Sequence, residues 1–412
     1  MPTLRPFAGI RYTTEDIGSV VCPPYDVISP EEQEALHARS EHNAVRLELA
    51  RTDSTDDGSR YAQVGALFRG WLDEGVLKSE PSDALYVYRQ DFSTPDGNRH
   101  RVAGVMGALE LEEFGQSSGV LPHERTMAGP KKDRLALMRA CPVNISPIYA
   151  IYRGGGQLAP YLESLENRPP QARFQDDMGI LHRLWVVSAP AEIQMLSEAI
   201  APGPLVIADG HHRYETALTF HREQESKGVP GDHGSIMCFC VDADAEDLVV
   251  LPYNRAVKTQ ATADEIVERL GSRFGAETAD PDGLEALEKD PADHAFLFLF
   301  EDRAYLARAS DDDVLAVTGD RHPAWRSLDV VALHEVVLPE ILDGAEADFR
   351  FSRDPDEIKR LVAREGLDFG VLLKALRASE VVDVATSGER MPQKASYFWP
   401  KAITGLVFRP LA

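Results

Sequence analysis

"GPLVIADGHHRYETALTF", residues 203–220, decides how this chain is read. Leu205, Val206, Ile207 and Ala208 make an apolar run of the kind that fills a buried strand. Asp209-Gly210 is turn chemistry. Beyond it, Tyr214, Ala217 and Leu218 recur at helical spacing. The stretch predicts a strand, a tight turn and a helix start, with Asp209, His211, His212 and Arg213 gathered at the junction. A helix start presents unpaired N–H groups and the positive end of the dipole, so it receives anions. Gly210, His211, His212 and Arg213 are therefore the expected phosphate or nucleotide contacts, with Arg213 suited to bidentate binding. Anion capture alone does not require Asp209. A carboxylate there caps the helix, holds Mg²⁺ or takes a proton from an attacking hydroxyl. Capping would not need three basic residues in succession. Zinc is not expected, because adjacent helical residues point about 100° apart and no HExxH spacing occurs.

Three further polar knots stand out. "LPHERTMAGPKKDRLALMRACPVNISP" (121–147) carries His123, Glu124, Arg125, Lys131, Asp133, Arg134 and Arg139. Gly129-Pro130 makes a turn, and Lys131 to Arg134 open a helix. Lys132 reads as an ordinary surface charge. His123, Arg125, Lys131 and Arg134 are expected at a phosphate, Glu124 is a candidate base, and Asn144 and Ser146 are candidate substrate contacts. In "VVCPPYDVISPEEQEALHA" (20–38), Pro23-Pro24 stiffens the backbone and fixes where Tyr25 and Asp26 point. Tyr25 is a candidate substrate contact and Asp26 a candidate catalytic acid or base. Ser29, Pro30 and Glu32 spell a capping box, which is structural. In "MPQKASYFWPKAITGLVF" (391–408), Lys394, Tyr397 and Lys401 lie on an expected loop that packs or closes as a lid over the phosphate.

The bulk composition narrows the partners. The 412 residues carry 43 Lys plus Arg against 67 Asp plus Glu, a formal charge of −24. A field of that sign argues against nucleic acid and anionic membrane, and makes each basic knot a place for an anion. No apolar run reaches the roughly 18 residues of a membrane span, and "MPTLRPFAGIRY" lacks a signal-peptide core. A cytoplasmic protein is expected, with a homo-oligomer compatible. Cys22, Cys141, Cys238 and Cys240 form neither a CxxC nor a disulfide framework. Cys238 and Cys240 read as core thiols on one face of a strand.

Along the chain, strands and helices alternate irregularly, which predicts a mixed α/β (α+β) fold. "ALYVYRQDFSTPDGNRHRVAGVMGALEL" reads as a hairpin around Pro95-Asp96-Gly97-Asn98. "SIMCFCVD" and "LVVLPYNRAV" read as strands that close a first domain. From about 258 the pattern turns to a helix at "TADEIVERLGSRF", a hairpin at "HAFLFLFEDRAYLARA", and helices at "LDVVALHEVVLPEIL" and "DEIKRLVAREG". The expected domains are 1–256, catalytic and phosphate-binding, and 257–412, α+β and closely packed, its terminal loop returning to the site.

"PPYDVIS", "LPHERTMAGPKKDRL", "NISPIY", "IADGHHRYETAL" and "KASYFWPK" together resemble the signature segments of the domain-of-unknown-function 1015 family, over essentially the whole chain. Two departures are Asn254, where the family often has His, and Ala395 within a segment that often reads Lys-Ser-Thr. "DGHHRYETA" is similar in form to the phosphate motif of the ParB and sulfiredoxin superfamily, and among its members to the free serine kinases. That likeness implies a ParB/sulfiredoxin-like phosphate-binding core with insertions. It further implies a small-molecule phosphotransferase, a kinase of free L-serine. Its donor would be ATP, ADP or pyrophosphate, with Mg²⁺ near Asp209 and Asp26, Glu124 or Asp209 taking the hydroxyl proton. No GxxxxGK[ST] loop is present, so the donor need not be ATP. Two alternatives stand beside it: a ParB-like nucleotide-binding regulatory module, and a metal-dependent phosphoester hydrolase using His123, Glu124 and His211.

Overall fold

The computed structural model describes residues 1–51, 57–94, 97–115, 118–124 and 128–411. The fold is mixed α/β and divides into two compact units. The first comprises residues 1–122, 126–248 and 400–412, and the second 123–125 and 249–399.

The first unit is built on a nine-stranded mixed sheet. Its main path runs Val120–Pro122, Leu205–Asp209, Ile148–Tyr152, Ser235–Asp242, Arg99–Glu110, Leu85–Ser93, Leu181–Val187, Ala172–Gln175. Leu205–Asp209 lies parallel to Val120–Pro122, and Ser235–Asp242 parallel to Ile148–Tyr152; the other pairs are antiparallel. The hairpin Leu85–Ser93/Arg99–Glu110 is the long one the alternating pattern predicts. Its expected turn residues Pro95 and Asp96 lie outside the described residues. One face of the sheet buries Val87, Val105, Ile148, Ile207 and Cys238 against helices that include His211–Lys227. Cys238 and Cys240 share a face, their sulfurs 3.5 Å apart, and all four cysteines are free and buried. The capping box at Ser29 is formed: its hydroxyl accepts from Glu32 N at 3.1 Å, and the Glu32 carboxylate accepts from Ser29 N at 2.8 Å.

The second unit has a six-stranded antiparallel sheet in the order Glu277–Ala279, Ala304–Ala309, His294–Leu299, Phe369–Leu373, Asn254–Thr259, Ala347–Ser352. Helices Ala263–Phe274 and Pro355–Glu365 bury Ile266, Leu270, Ile358 and Leu361. Residues 249–256, expected to close the first domain, belong here instead. Val249–Pro252 pairs with Ser396–Trp399, and Asn254–Thr259 enters the sheet between two strands more than ninety positions downstream. The same pairing makes "SYFW" a strand where a loop was expected, because Tyr397 and Phe398 are buried. The helix expected over 328–342 forms with a π-helical stretch at Leu333–Val337.

The last residues return to the first unit. Thr404 and Cys22 exchange backbone hydrogen bonds at 2.8 and 3.2 Å, and Arg409 pairs with Asn144. Among the described residues, no helix is long and apolar enough to cross a membrane.

Candidate functional site

Leu205, Val206 and Ile207 are fully buried, so the strand carries Asp209 to the edge of the core with its direction fixed. Gly210 then takes φ +90°, in the left-handed region. A Cβ there would lie 2.9 Å from Ile148 and 3.0 Å from the Arg213 side chain, so the turn requires glycine. The helix begins at His211, and Tyr214 N closes the first turn on Gly210 O at 3.0 Å. One turn on, Arg213 folds back and donates from Nη2 to Asp209 Oδ2 at 2.5 Å. Lys401, from the returning C-terminal segment, donates to the other oxygen, Oδ1. Asp209 thus bridges two cations through its two oxygens.

The second guanidinium nitrogen of Arg213 donates to the Pro147 carbonyl at 2.5 Å and to Ser146 Oγ at 3.1 Å. Ser146 in turn donates to Glu48 Oε1 at 3.0 Å. Glu48, almost wholly buried, escaped the sequence reading. Its signal was an acid inside the apolar run "AVRLELA", at a position the packing buries.

Asp26 completes the group. Pro24 sits at φ −65°, ψ 151°, and the chain tightens into a single turn over Tyr25–Val27. Asp26 stays open to solvent on one side while protein crowds it on the others. That crowding raises its proton affinity, and the like charge of Asp209 raises it further; Lys401 and Arg213 pull the other way, and the net shift is upward. Burial also opposes charge on Asp209, but Lys401 and Arg213 win and hold it down at about 2. Two carboxylates a short way apart therefore have opposite tendencies, one held ionised and one disposed to take a proton. His211 is buried and helps lower Asp209, and His212 is half-buried on the same turn. Arg134 lies with its guanidinium carbon 4.3 Å from the centre of the Tyr25 ring and donates to the Glu48 carbonyl at 2.8 Å. A cavity of about 250 Å³ opens between Tyr25, Glu48, Asp133 and Arg134. A larger one of about 560 Å³, between Arg11, Glu80 and Arg173, touches none of the cluster.

The other expected contacts lie elsewhere or are engaged in packing. Lys131 pairs with Glu215 at 2.7 Å and ties helix Ala128–Ala140 to helix His211–Lys227. Asn144 Oδ1 accepts from Met237 N at 2.9 Å and Arg409 at 3.1 Å, fastening the C-terminal segment. His123 and Glu124 group with the second unit, where His123 Nε2 lies 3.1 Å from Ser396 Oγ. Lys394 and Tyr397 belong to the second unit as well, while Lys401 belongs to the first. Arg125 lies outside the described residues. Among the described residues, no three His, Cys, Asp or Glu side chains form a metal-holding group.

A family model described as "Protein of unknown function (DUF1015)" matches residues 4–331. No curated protein matches the chain in sequence. Among solved structures, a free serine kinase variant in complex with AMP is similar at 15% identity and TM-score 0.35, over 72% of this chain and 87% of that one. A conserved hypothetical protein from Pyrococcus furiosus follows at 14% and 0.34, over 71% and 94%. C-terminally truncated SbnI from Staphylococcus aureus stands at 9% and 0.35, over 73% and 85%. At likenesses of this size the chemistry rests on the residues of the site.

Proposed function

Because the chain belongs to the DUF1015 family, described without a function, we propose one from the site itself: transfer of a phosphoryl group to the hydroxyl of a small amino acid, free L-serine. The supporting observation is the four-charge cluster in which Asp209 bridges Arg213 and Lys401 while Asp26 beside it is disposed to take a proton. A donor phosphate, bringing more charge than one carboxylate, competes with Asp209 for the two cations. Phosphoryl transfer asks a protein mainly for positioning and charge neutralisation, which Arg213 and Lys401 supply. The serine oxygen forms its bond to the donor's terminal phosphorus as the bridging P–O bond breaks. Asp26 accepts the hydroxyl proton, and the leaving phosphate's charge falls to Arg213 and Lys401. Glu48 acts as a positioning residue, holding Arg213 through Ser146.

Each Asp209 oxygen takes one cation's hydrogen bond; a donor phosphate that draws those cations away would free the carboxylate to hold Mg²⁺. A Mg²⁺ ion carried in on the donor's phosphates would add charge neutralisation there. A cytoplasmic location belongs to the proposal. Phosphorus NMR of the protein with L-serine and ATP, ADP or pyrophosphate tests it: phosphoserine is expected from at least one donor. Its absence with all three removes the reading, and a nucleotide-dependent change indifferent to serine replaces it with the regulatory module.

A further inference from the structure

Asn254–Thr259 opens on a buried cation with no acid beside it. Arg255 is 0% exposed. It donates to the Tyr253 carbonyl, to the Lys394 carbonyl at 3.1 Å and to His334 Nε2 at 3.2 Å. None of these partners is a carboxylate, and burial draws its pKa down to about 9. Leaving a buried charge without a counter-ion is costly, and a site that keeps one calls for an explanation such as a missing ion. Solvent-accessible arginines of the same unit do pair with acids: Arg269 with Asp343, Arg273 with Glu340, Arg350 with Glu365.

Two more cations are linked to Arg255 through the Lys394 backbone and a group of rings. Lys394 is exposed and held at φ +57°, a conformation a residue with a Cβ adopts only under constraint. Its ammonium lies 5.0 Å from the Tyr253 ring centre. Arg353 has its guanidinium carbon 4.5 Å from the Tyr397 ring and 5.0 Å from the Trp399 ring. Tyr397 and Trp399 alternate along one strand, so both rings face the same side, 6.3 Å apart; Tyr253 meets Tyr397 edge-on at 5.6 Å. Among the described residues, neither Lys394 nor Arg353 has a carboxylate partner. Packing of a guanidinium stem over rings accounts for Arg353. Arg255 also lies over a ring, its guanidinium carbon 5.5 Å from the Phe351 centre, yet it gives up hydration with no opposite charge to meet it.

We propose that this cluster binds a mononucleotide, its phosphates answering Lys394, Arg353 and the buried charge of Arg255, its base lying against the half-buried rings of Tyr253 and Trp399. Inorganic phosphate would use the cations and leave the rings idle; a neutral aromatic would do the reverse. An anion with a flat face uses both. The chain's charge of −24 favours a small anion over a nucleic-acid polymer. This goes beyond the proposed phosphotransfer, whose named residues all lie in the first unit.

The test titrates ADP, adenosine, pyrophosphate and a single-stranded oligonucleotide into full-length Arg213→Ala protein, in which the first-unit phosphate site is disabled, by calorimetry and tryptophan emission. One ADP per chain is expected, with adenosine and pyrophosphate each about tenfold weaker or more. Adding Lys394→Ala and Arg353→Ala should weaken ADP about tenfold or more at unchanged Tm, and Trp399→Phe should abolish the emission change. No ADP binding in the Arg213→Ala protein, equal binding after the double change, or an oligonucleotide that outbinds ADP overturns the proposal. If Arg213→Ala does not fold, the wild type should bind two ADP and the Lys394→Ala/Arg353→Ala protein one; an equal number in both overturns it. Failure of the phosphotransfer reading shows separately, as absent phosphoserine from the wild type.

Discussion

Arg213 and Arg255 are both buried guanidinium groups, and their surroundings treat charge in opposite ways. Burial works against Arg213, yet Asp209, Asp26 and Glu48 outweigh it, and its hold on its proton rises above the ordinary. Arg255 meets two carbonyls, the neutral His334 ring and the Phe351 ring, and its hold falls. His334 is pushed down to about 4, by burial first and by Arg255 second, so it stays neutral beside that charge. In the first-unit cluster Asp209 and Asp26 face Arg213 and Lys401, and a phosphate exchanges one partner for another. In the second, the charge stands ready-made for an anion. The difference teaches how a site's charge count separates a place where groups are moved from a place where one is held.

Arg213→Ala breaks that comparison most directly. Removing a preorganised donor from a site of this kind costs about 10²–10³ in rate, and phosphoserine formation read by phosphorus NMR should fall by that much. Normal formation would return Arg213 to a structural role. Asp26→Asn should lower transfer about 10²–10⁴-fold while calorimetry finds donor binding little changed. Since ionisation of Asp26 is disfavoured in the folded chain, its charge costs stability at pH 7. The same variant should therefore show a raised Tm, and a lowered one would count against the charge crowding described here.

The pH profile sharpens the contrast between the two acids. Transfer needs Asp26 without its proton, so the acid limb of kcat should lie above the usual Asp range and rise with pH through it. Asp209→Asn removes the like charge, and the limb of the residual activity should move to lower pH. Asp209 itself, held at about 2, stabilises the fold fully above the ordinary carboxylate pKa, and that contribution fades as pH drops from about 4 toward 2. Lys401→Ala should weaken donor phosphate about ten- to a hundredfold, the value of one hydrogen bond between charged groups. Smallest of all, Ser29→Ala should cost about 1 kcal/mol in denaturant unfolding and leave transfer untouched.

The sequence by itself determined the local pieces. Strand, turn and helix at 203–220 follow from an apolar run, a glycine and 3.6-residue spacing; the capping box and the long hairpin follow from rules that reach a few residues at most. Those rules also put Asp209, His211, His212 and Arg213 on one turn and stiffened the loop that carries Asp26. They did not reach what depends on distant partners. Lys401 arrives at Asp209 across 192 positions, Glu48 supports Ser146 across 98, and "SYFW" is a strand only because Val249–Pro252 lies alongside it. Asn144 and Lys131, expected as ligands, meet Arg409 and Glu215 of the same chain, partners that a local motif does not name. Propensity and periodicity are local energies and can be read in order along a chain, but a charge takes its meaning from whichever opposite charge folding sets beside it.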